Sequence, residues 1–173
     1  MLRVISVNGL IAAAIISGVS AVLLWTAGDE ATHGHSPWLG YLVMVVGFSF
    51  IYVAIKQHRD NNLGGVIYFG QAFKVGILVS LIASFVYVFS WEFYYRNGGE
   101  NFLEEYQVSY LAELKAQGVT TEKLSQTSQD MKAFAVSYAK FHFRALVTLT
   151  EILPVGLIIT LLSAFLLKSR RKV

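Results

Sequence analysis

The sequence contains no cysteine, which excludes a disulfide scaffold, a thiol enzyme and cysteine-ligated zinc or iron–sulfur centres. Charge is scarce as well: Lys, Arg, Asp and Glu make up 14% of the 173 residues, against about a quarter in a soluble domain. The formal excess of +3 is accounted for at the extreme C-terminus, where Lys168, Arg170, Arg171 and Lys172 follow an apolar run. That arrangement is the flank of a membrane span and not a nucleic-acid-binding surface. There is no internal repeat, no low-complexity segment, no Ser-His-Asp set, no carboxylate pair placed for acid–base work and no nucleotide fingerprint. Gly64, Gly65 and Gly70 match a phosphate loop in composition alone, without the Gly-Lys-Ser/Thr that would hold phosphate and magnesium. What remains is apolar: 55% hydrophobic and 14% aromatic residues, with a mean hydropathy of +0.54. A disordered tail is excluded, and the bilayer is the solvent that fits.

A hydrocarbon core about 30 Å thick takes roughly 20 mostly apolar residues in a helix. Four runs qualify, over residues 4–27, 39–55, 72–95 and 145–167. The first also has the outline of a signal peptide, with Arg3 before it and Val19-Ser20-Ala21 as a cleavage site. Its continuation through Val22-Leu23-Leu24-Trp25 is longer than an ordinary signal core and favours a retained helix. Positive flanks stay in the cytoplasm. Arg3, Lys56, Arg59, Lys74 and the C-terminal basic group lie on one side of the four runs, while the first connection holds Asp29 and Glu30 without Lys or Arg. Both termini in the cytoplasm is the consistent solution, for a multi-pass protein of the cytoplasmic (inner) membrane. Trp25, Trp38, Trp91, Tyr94 and Tyr95 then fall where an outer aromatic belt belongs.

The connections differ. Gly28 to Pro37 and Lys56 to Gln71 read as short polar turns, the second an inner turn around Asn61, Asn62, Gly64 and Gly65. The segment 98–144 instead carries Leu103, Tyr106, Tyr110 and Leu114 at helical spacing, then Gly118 as a stop and Thr120 with Glu122 as a new start. Leu124, Met131, Phe134, Tyr138 and Phe141 form a second stripe. This predicts an outer helical hairpin whose two apolar faces meet. No breaker separates its second helix from the fourth run, so a long helix projecting from the membrane until Pro154 bends it is expected. The fold class is thus all-α: a four-helix transmembrane bundle with an extramembrane helical hairpin between the third and fourth spans, in a single domain covering 1–173.

The stretch Ala54-Ile55-Lys56-Gln57-His58-Arg59, then Gly64-Gly65 and Phe69-Gly70-Gln71-Ala72-Phe73-Lys74-Val75-Gly76, leads into a third span ending Trp91-Glu92-Phe93-Tyr94-Tyr95. It resembles an uncharacterised bacterial family of small four-span integral membrane proteins, catalogued as a domain of unknown function. The resemblance covers nearly the whole chain. It implies a fold and a location, and it carries no activity, hence no catalytic residue.

Three features invite a functional reading. Small residues recur every four positions in the third span (Ala72, Gly76, Ser80, Ser84) and the fourth (Gly156, Thr160, Ala164), with Ala14 and Gly18 in the first. Such rows let helix backbones approach within lipid, in one chain or between chains, and the same rows also arise from common membrane residues by chance. Of the in-span charges, Lys74 and Glu92 lie within a turn of a span end, whereas Glu151 is deeper and adjoins Pro154. Glu151 is either a cation or proton site or a boundary carboxylate paired with Arg96 or Arg144. His33, His35, Asp29 and Glu30 share one outer loop and are all metal-ligand types, but so short a turn rarely supplies four ligands and their supports.

No catalytic or metal residue and no cofactor is called for. The expected partners are the lipid bilayer and either another copy of the chain or another membrane or periplasmic protein, with no nucleic acid. The leading expectation is a non-enzymatic scaffold or accessory subunit that docks through its outer hairpin. The alternative is a small oligomeric ion or solute carrier or channel using Glu151 and Glu92, and a lipid-modifying enzyme ranks third for want of clustered catalytic groups.

Overall fold

A computed structural model describes residues 1–27, 37–99 and 101–169. They form six helices: α1 Leu2–Ala27, α2 Pro37–Asn62, α3 Phe69–Arg96, α4 Phe102–Ala116, α5 Thr121–Tyr138 and α6 Phe141–Leu167. Four of them, α1, α2, α3 and α6, are long and apolar enough to cross a membrane. α3, at 28 residues, is about 40 Å long, which exceeds the hydrocarbon thickness and leaves turns at either end for polar groups.

The long helices pack as a bundle in which α1, α3, α6 and α2 follow one another around the axis, with α2 and α3 also touching. The interior is filled by Ile16, Phe48, Ile51, Ile55, Val75, Val79 and Ile152, all at 0–1% exposure. The outside is equally apolar: Ile158, Leu162, Phe165 and Leu166 of α6 are 57–71% exposed. A helix apolar all round is at home in lipid, and a surface of this kind on a water-soluble monomer would aggregate. The chain is therefore a multi-pass membrane protein.

The ends of these helices depart from the apolar runs for identifiable reasons. α2 continues past Ile55 to Asn62, although the sequence from Lys56 reads as a turn. Its last turns are held by Asn8 of α1, whose amide donates to Gln57 Oε1 at 2.9 Å and to the Val4 carbonyl at 2.8 Å. The chain then reverses through Gly64 and Gly65, whose φ values of +62° and +89° suit glycine. Two reciprocal bonds pin this turn to the end of α6: Ile67 N–H donates to Ser169 Oγ at 3.1 Å and Ser169 N–H to the Ile67 carbonyl at 2.8 Å.

The expectation of one unbroken helix from the outer segment into the fourth span is wrong. α5 ends at Tyr138 and α6 begins at Phe141, with Lys140 extended at φ −82° and ψ 125°. Neither Gly nor Pro marks the break. Arg144 makes it, because its Nη1 donates to the carbonyls of Tyr138 at 2.8 Å and Ala139 at 3.2 Å, taking over acceptors that a continuing helix would satisfy. At the other end of the pair, α4 stops at Ala116 before Gly118, which has φ +76°.

Candidate functional site

The end of the bundle where α3 stops and α6 starts gathers charged and aromatic side chains from α3, α5 and α6. Arg144, only 3% exposed, lies at the centre. Its Nε and Nη2 donate to Glu92 Oε2 at 2.8 and 2.6 Å, while Arg96 Nε donates to Glu92 Oε1 at 2.5 Å. The guanidinium sits over the Tyr95 ring, 3.8 Å from Cζ to centroid, within the range of a cation–π contact. Trp91 Nε1 donates to the Tyr138 hydroxyl at 2.7 Å, and burial pushes that phenol up to about 12. At neutral pH Tyr138 thus accepts the indole proton as an uncharged phenol. Fixed donors meet fixed acceptors throughout this clasp, which joins α3, the end of α5 and the start of α6. A carboxylate saturated by two arginines is poorly suited to binding a mobile ion.

The small-residue rows of α3 and α6 come together beneath it. Thr160 of α6 presses on Gly76, where a Cβ would lie 2.7 Å from Thr160 Cγ2. A Cβ on Gly156 would fall on Ser80 Oγ. Ala72, Ser80, Ser84, Thr160 and Ala164 are all fully buried. Among the described residues the hydroxyls of Ser80, Ser84 and Thr160 have no hydrogen-bond partner. The Ser80 oxygen points across the seam at the Gly156 backbone, where a weak Cα–H···O contact is available. Ala14 and Gly18 do not join this pattern. Both are exposed on α1, and nothing lies within 4 Å of a Cβ built on Gly18. Two close approaches escaped the sequence reading, Gly9 against Ile82 and Gly47 against Ile16. Each sets a single glycine against a large side chain, which no spacing rule reveals.

With the fold and these contacts in place, the family follows. A family model described as "Protein of unknown function (DUF4199)" matches residues 8–169, nearly the whole chain. The chain belongs to this family. No curated protein and no solved structure matches it.

Glu151, the other in-span carboxylate of this DUF4199 chain, lies elsewhere. Its side chain is exposed on the outward side of α6. The pairing considered for it with Arg96 or Arg144 is not made, because both arginines are taken by Glu92. Glu151 makes no hydrogen bond or ion pair among the described residues, and the charged or ionisable groups that feel it are Tyr87 of α3 and Tyr138. Between α1 and α3 a cavity of about 400 Å³ is lined by Ser17, Ser20, Leu24, Tyr87, Trp91 and Tyr94. No group of three metal-ligand side chains occurs among the described residues. The loop holding Asp29, Glu30, His33 and His35 lies outside them.

In α4 and α5 the two apolar stripes meet only in part. Gln107 donates across to Ser128 Oγ at 3.1 Å, and Leu103, Leu114, Leu124 and Met131 are half-buried. Tyr106, Phe134 and Phe141 remain 40–48% exposed. Between the two helices runs a groove of about 400 Å³ lined by Leu103, Tyr106, Thr127, Asp130, Met131 and Phe134.

Proposed function

We propose that this DUF4199 protein is a non-enzymatic scaffold or accessory subunit of a bacterial cytoplasmic (inner) membrane that docks through an outer helical hairpin made by α4 and α5. The observation that carries this reading is the clasp: a buried Arg144 that engages Glu92, Tyr95 and the last carbonyls of α5 fixes the base of the hairpin to the spans. The exposed Tyr106 and Phe134 beside the open groove offer aromatic anchors of the kind that dominate protein interfaces. Photoreactive residues at Tyr106 and Phe134 are expected to give discrete cross-linked species in native membranes, and one at the exposed Lys123 to give none. Equal labelling at all three positions overturns the docking reading.

The orientation rests on the distribution of Lys and Arg, with both termini in the cytoplasm and residue 117 outside. A phosphatase active only outside the cytoplasm is expected to be bright when fused near Gln117 and silent at Val173. The reverse pattern inverts the topology and leaves the clasp on the cytoplasmic side.

A carrier or channel is the second reading, favoured by one observation: an in-span carboxylate, Glu151, without a partner among the described residues. Against it, Glu92 is engaged by two arginines and the bundle axis is filled by Phe48 and Ile51. In proteoliposomes neither wild type nor Glu151→Gln is expected to pass protons or monovalent cations. Flux in wild type that disappears in the variant would replace the scaffold reading.

A further inference from the structure

Hydrocarbon offers no hydrogen-bond partner, so every polar group a span presents to lipid is satisfied within the protein or by a neighbour. The outward side of α6 breaks this rule twice within one turn. Pro154 has no N–H, which leaves the Thr150 carbonyl without its helical donor. Thr150 and Pro154 are both exposed, and the Thr150 hydroxyl is spent on the Val147 carbonyl at 2.7 Å. Beside them stands Glu151, also exposed and without a hydrogen bond or ion pair among the described residues. Thr150, Glu151, Pro154 and Ile158 lie on the side of α6 opposite Thr148, Ile152, Gly156 and Thr160, which face α2 and α3. Their surface remains open on that side, with Tyr87 of α3 and Tyr138 as the ionisable groups near enough to Glu151 to feel its charge. Arg144 lies seven residues before Glu151, which puts the carboxyl about 10 Å below the clasp, inside the hydrocarbon layer.

An orphan acceptor and a carboxyl group side by side are complementary to their own copy. In its acid form the Glu151 carboxyl has one O–H to donate, and the Thr150 carbonyl needs one donor. A two-fold axis along the membrane normal brings the donor of each copy to the acceptor of the other, as an isologous interface requires. We propose that α6 is the self-association face of this protein, with Glu151 of one copy hydrogen-bonded to the Thr150 carbonyl of the second and the reverse. Apolar side chains at Val147, Ile158 and Leu161 pack around the pair. Interhelical hydrogen bonds are the established glue between helices in lipid, where apolar contact alone supplies little specificity. The inference is independent of the hairpin, since docking through α4 and α5 can fail while α6 still pairs.

The natural absence of cysteine permits a direct test by oxidative cross-linking of single-cysteine full-length variants in membranes. Val147→Cys and Ile158→Cys are expected to give covalent dimers, whereas Leu10→Cys on the far side of the bundle, at 56% exposure, is not. In the Ile158→Cys background, Glu151→Ala is expected to lower the dimer yield roughly tenfold, the scale of a reciprocal pair of interhelical hydrogen bonds. Glu151→Gln retains a donor and an acceptor and is expected to keep the dimer. Pro154→Ala returns an N–H to the Thr150 carbonyl, so it is expected to weaken the dimer several-fold while leaving the monomer folded. A purely structural proline would not produce that result, and the variant carries the test if Glu151→Ala fails to fold. Three results overturn the proposal: cross-linking no stronger at Val147 and Ile158 than at Leu10, a yield indifferent to Glu151→Ala and Pro154→Ala, or Glu151→Gln as poor as Glu151→Ala. The last would mean that an ionised carboxylate is held by a cation on a different protein.

Discussion

In detergent, Arg144→Met is expected to unfold with about 3–5 kcal/mol less stability than wild type, the cost of stranding one member of a buried ion pair. The replacement keeps much of the length and apolar volume of the side chain and removes its charge and its donors. Four hydrogen bonds disappear at once, two to Glu92 Oε2 and one each to the carbonyls of Tyr138 and Ala139. The stacking on Tyr95 goes with them. Glu92 keeps Arg96, but that side chain is 69% exposed and offers little compensation for a carboxylate that is 12% exposed. Arg96→Ala alone is accordingly expected to cost about 1 kcal/mol or less, as exposed pairs do. Adding Glu92→Gln to Arg144→Met removes the stranded charge and should recover part of the loss. The readout is denaturant unfolding together with limited proteolysis around Lys140, because the α5 carbonyls that stop the helix lose their donor. Unchanged stability and unchanged cleavage in Arg144→Met would show that the clasp does not hold α4 and α5 to the bundle.

The same residue explains much of what the sequence concealed. The four spans were legible because their signal is local: some twenty adjacent residues agree, and hydropathy sums them. The stop at Gly118 and the start at Thr120 were legible for the same reason. The break between Tyr138 and Phe141 was not, since no residue there has a breaking propensity. It is imposed by Arg144 reaching back six residues while its other nitrogens bind Glu92, 52 positions away. A competition between a helix and a tertiary contact is decided by geometry, which periodicity does not contain. Lys56 to Asn62 failed in the opposite direction. Its charges suggest a turn, but Asn8 and the packing of a 7%-exposed His58 hold it helical. For the in-span carboxylates, depth along the helix was readable and direction was not. Glu92 lies near the end of its helix and Glu151 deeper within α6, yet Glu92 turns toward two arginines while Glu151 makes no ion pair among the described residues.

Direction around the helix also governs the second large effect. Gly156→Leu is expected to prevent stable assembly of the bundle, while Gly156→Ala is expected to cost about 1–3 kcal/mol, the usual penalty of overpacking. A Cβ at this position would fall on Ser80 Oγ and lie 3.0 Å from the Phe48 ring. Ser80 and Phe48 are both at 0% exposure, so neither side chain can withdraw as a whole. The Ser80 hydroxyl can rotate, which is why the alanine variant should survive; a leucine must instead push α6 off α3 along the whole seam and forfeit the dispersion contacts that bind helices in lipid. Gly76→Leu meets Thr160 and Ile51 in the same way and should fail similarly. Gly18→Ala and Gly18→Leu supply the control, being placed in an equally small-residue stretch of α1 where a side chain meets nothing within 4 Å. Both should leave stability within about 0.5 kcal/mol of wild type, as surface substitutions do. Reversible unfolding in mixed micelles, with the yield of monodisperse protein as a second measure, separates the pairs. If Gly18→Leu proves as damaging as Gly156→Leu, the small residues are tolerated for reasons common to all four spans, and the α3–α6 seam is not where the bundle is held together.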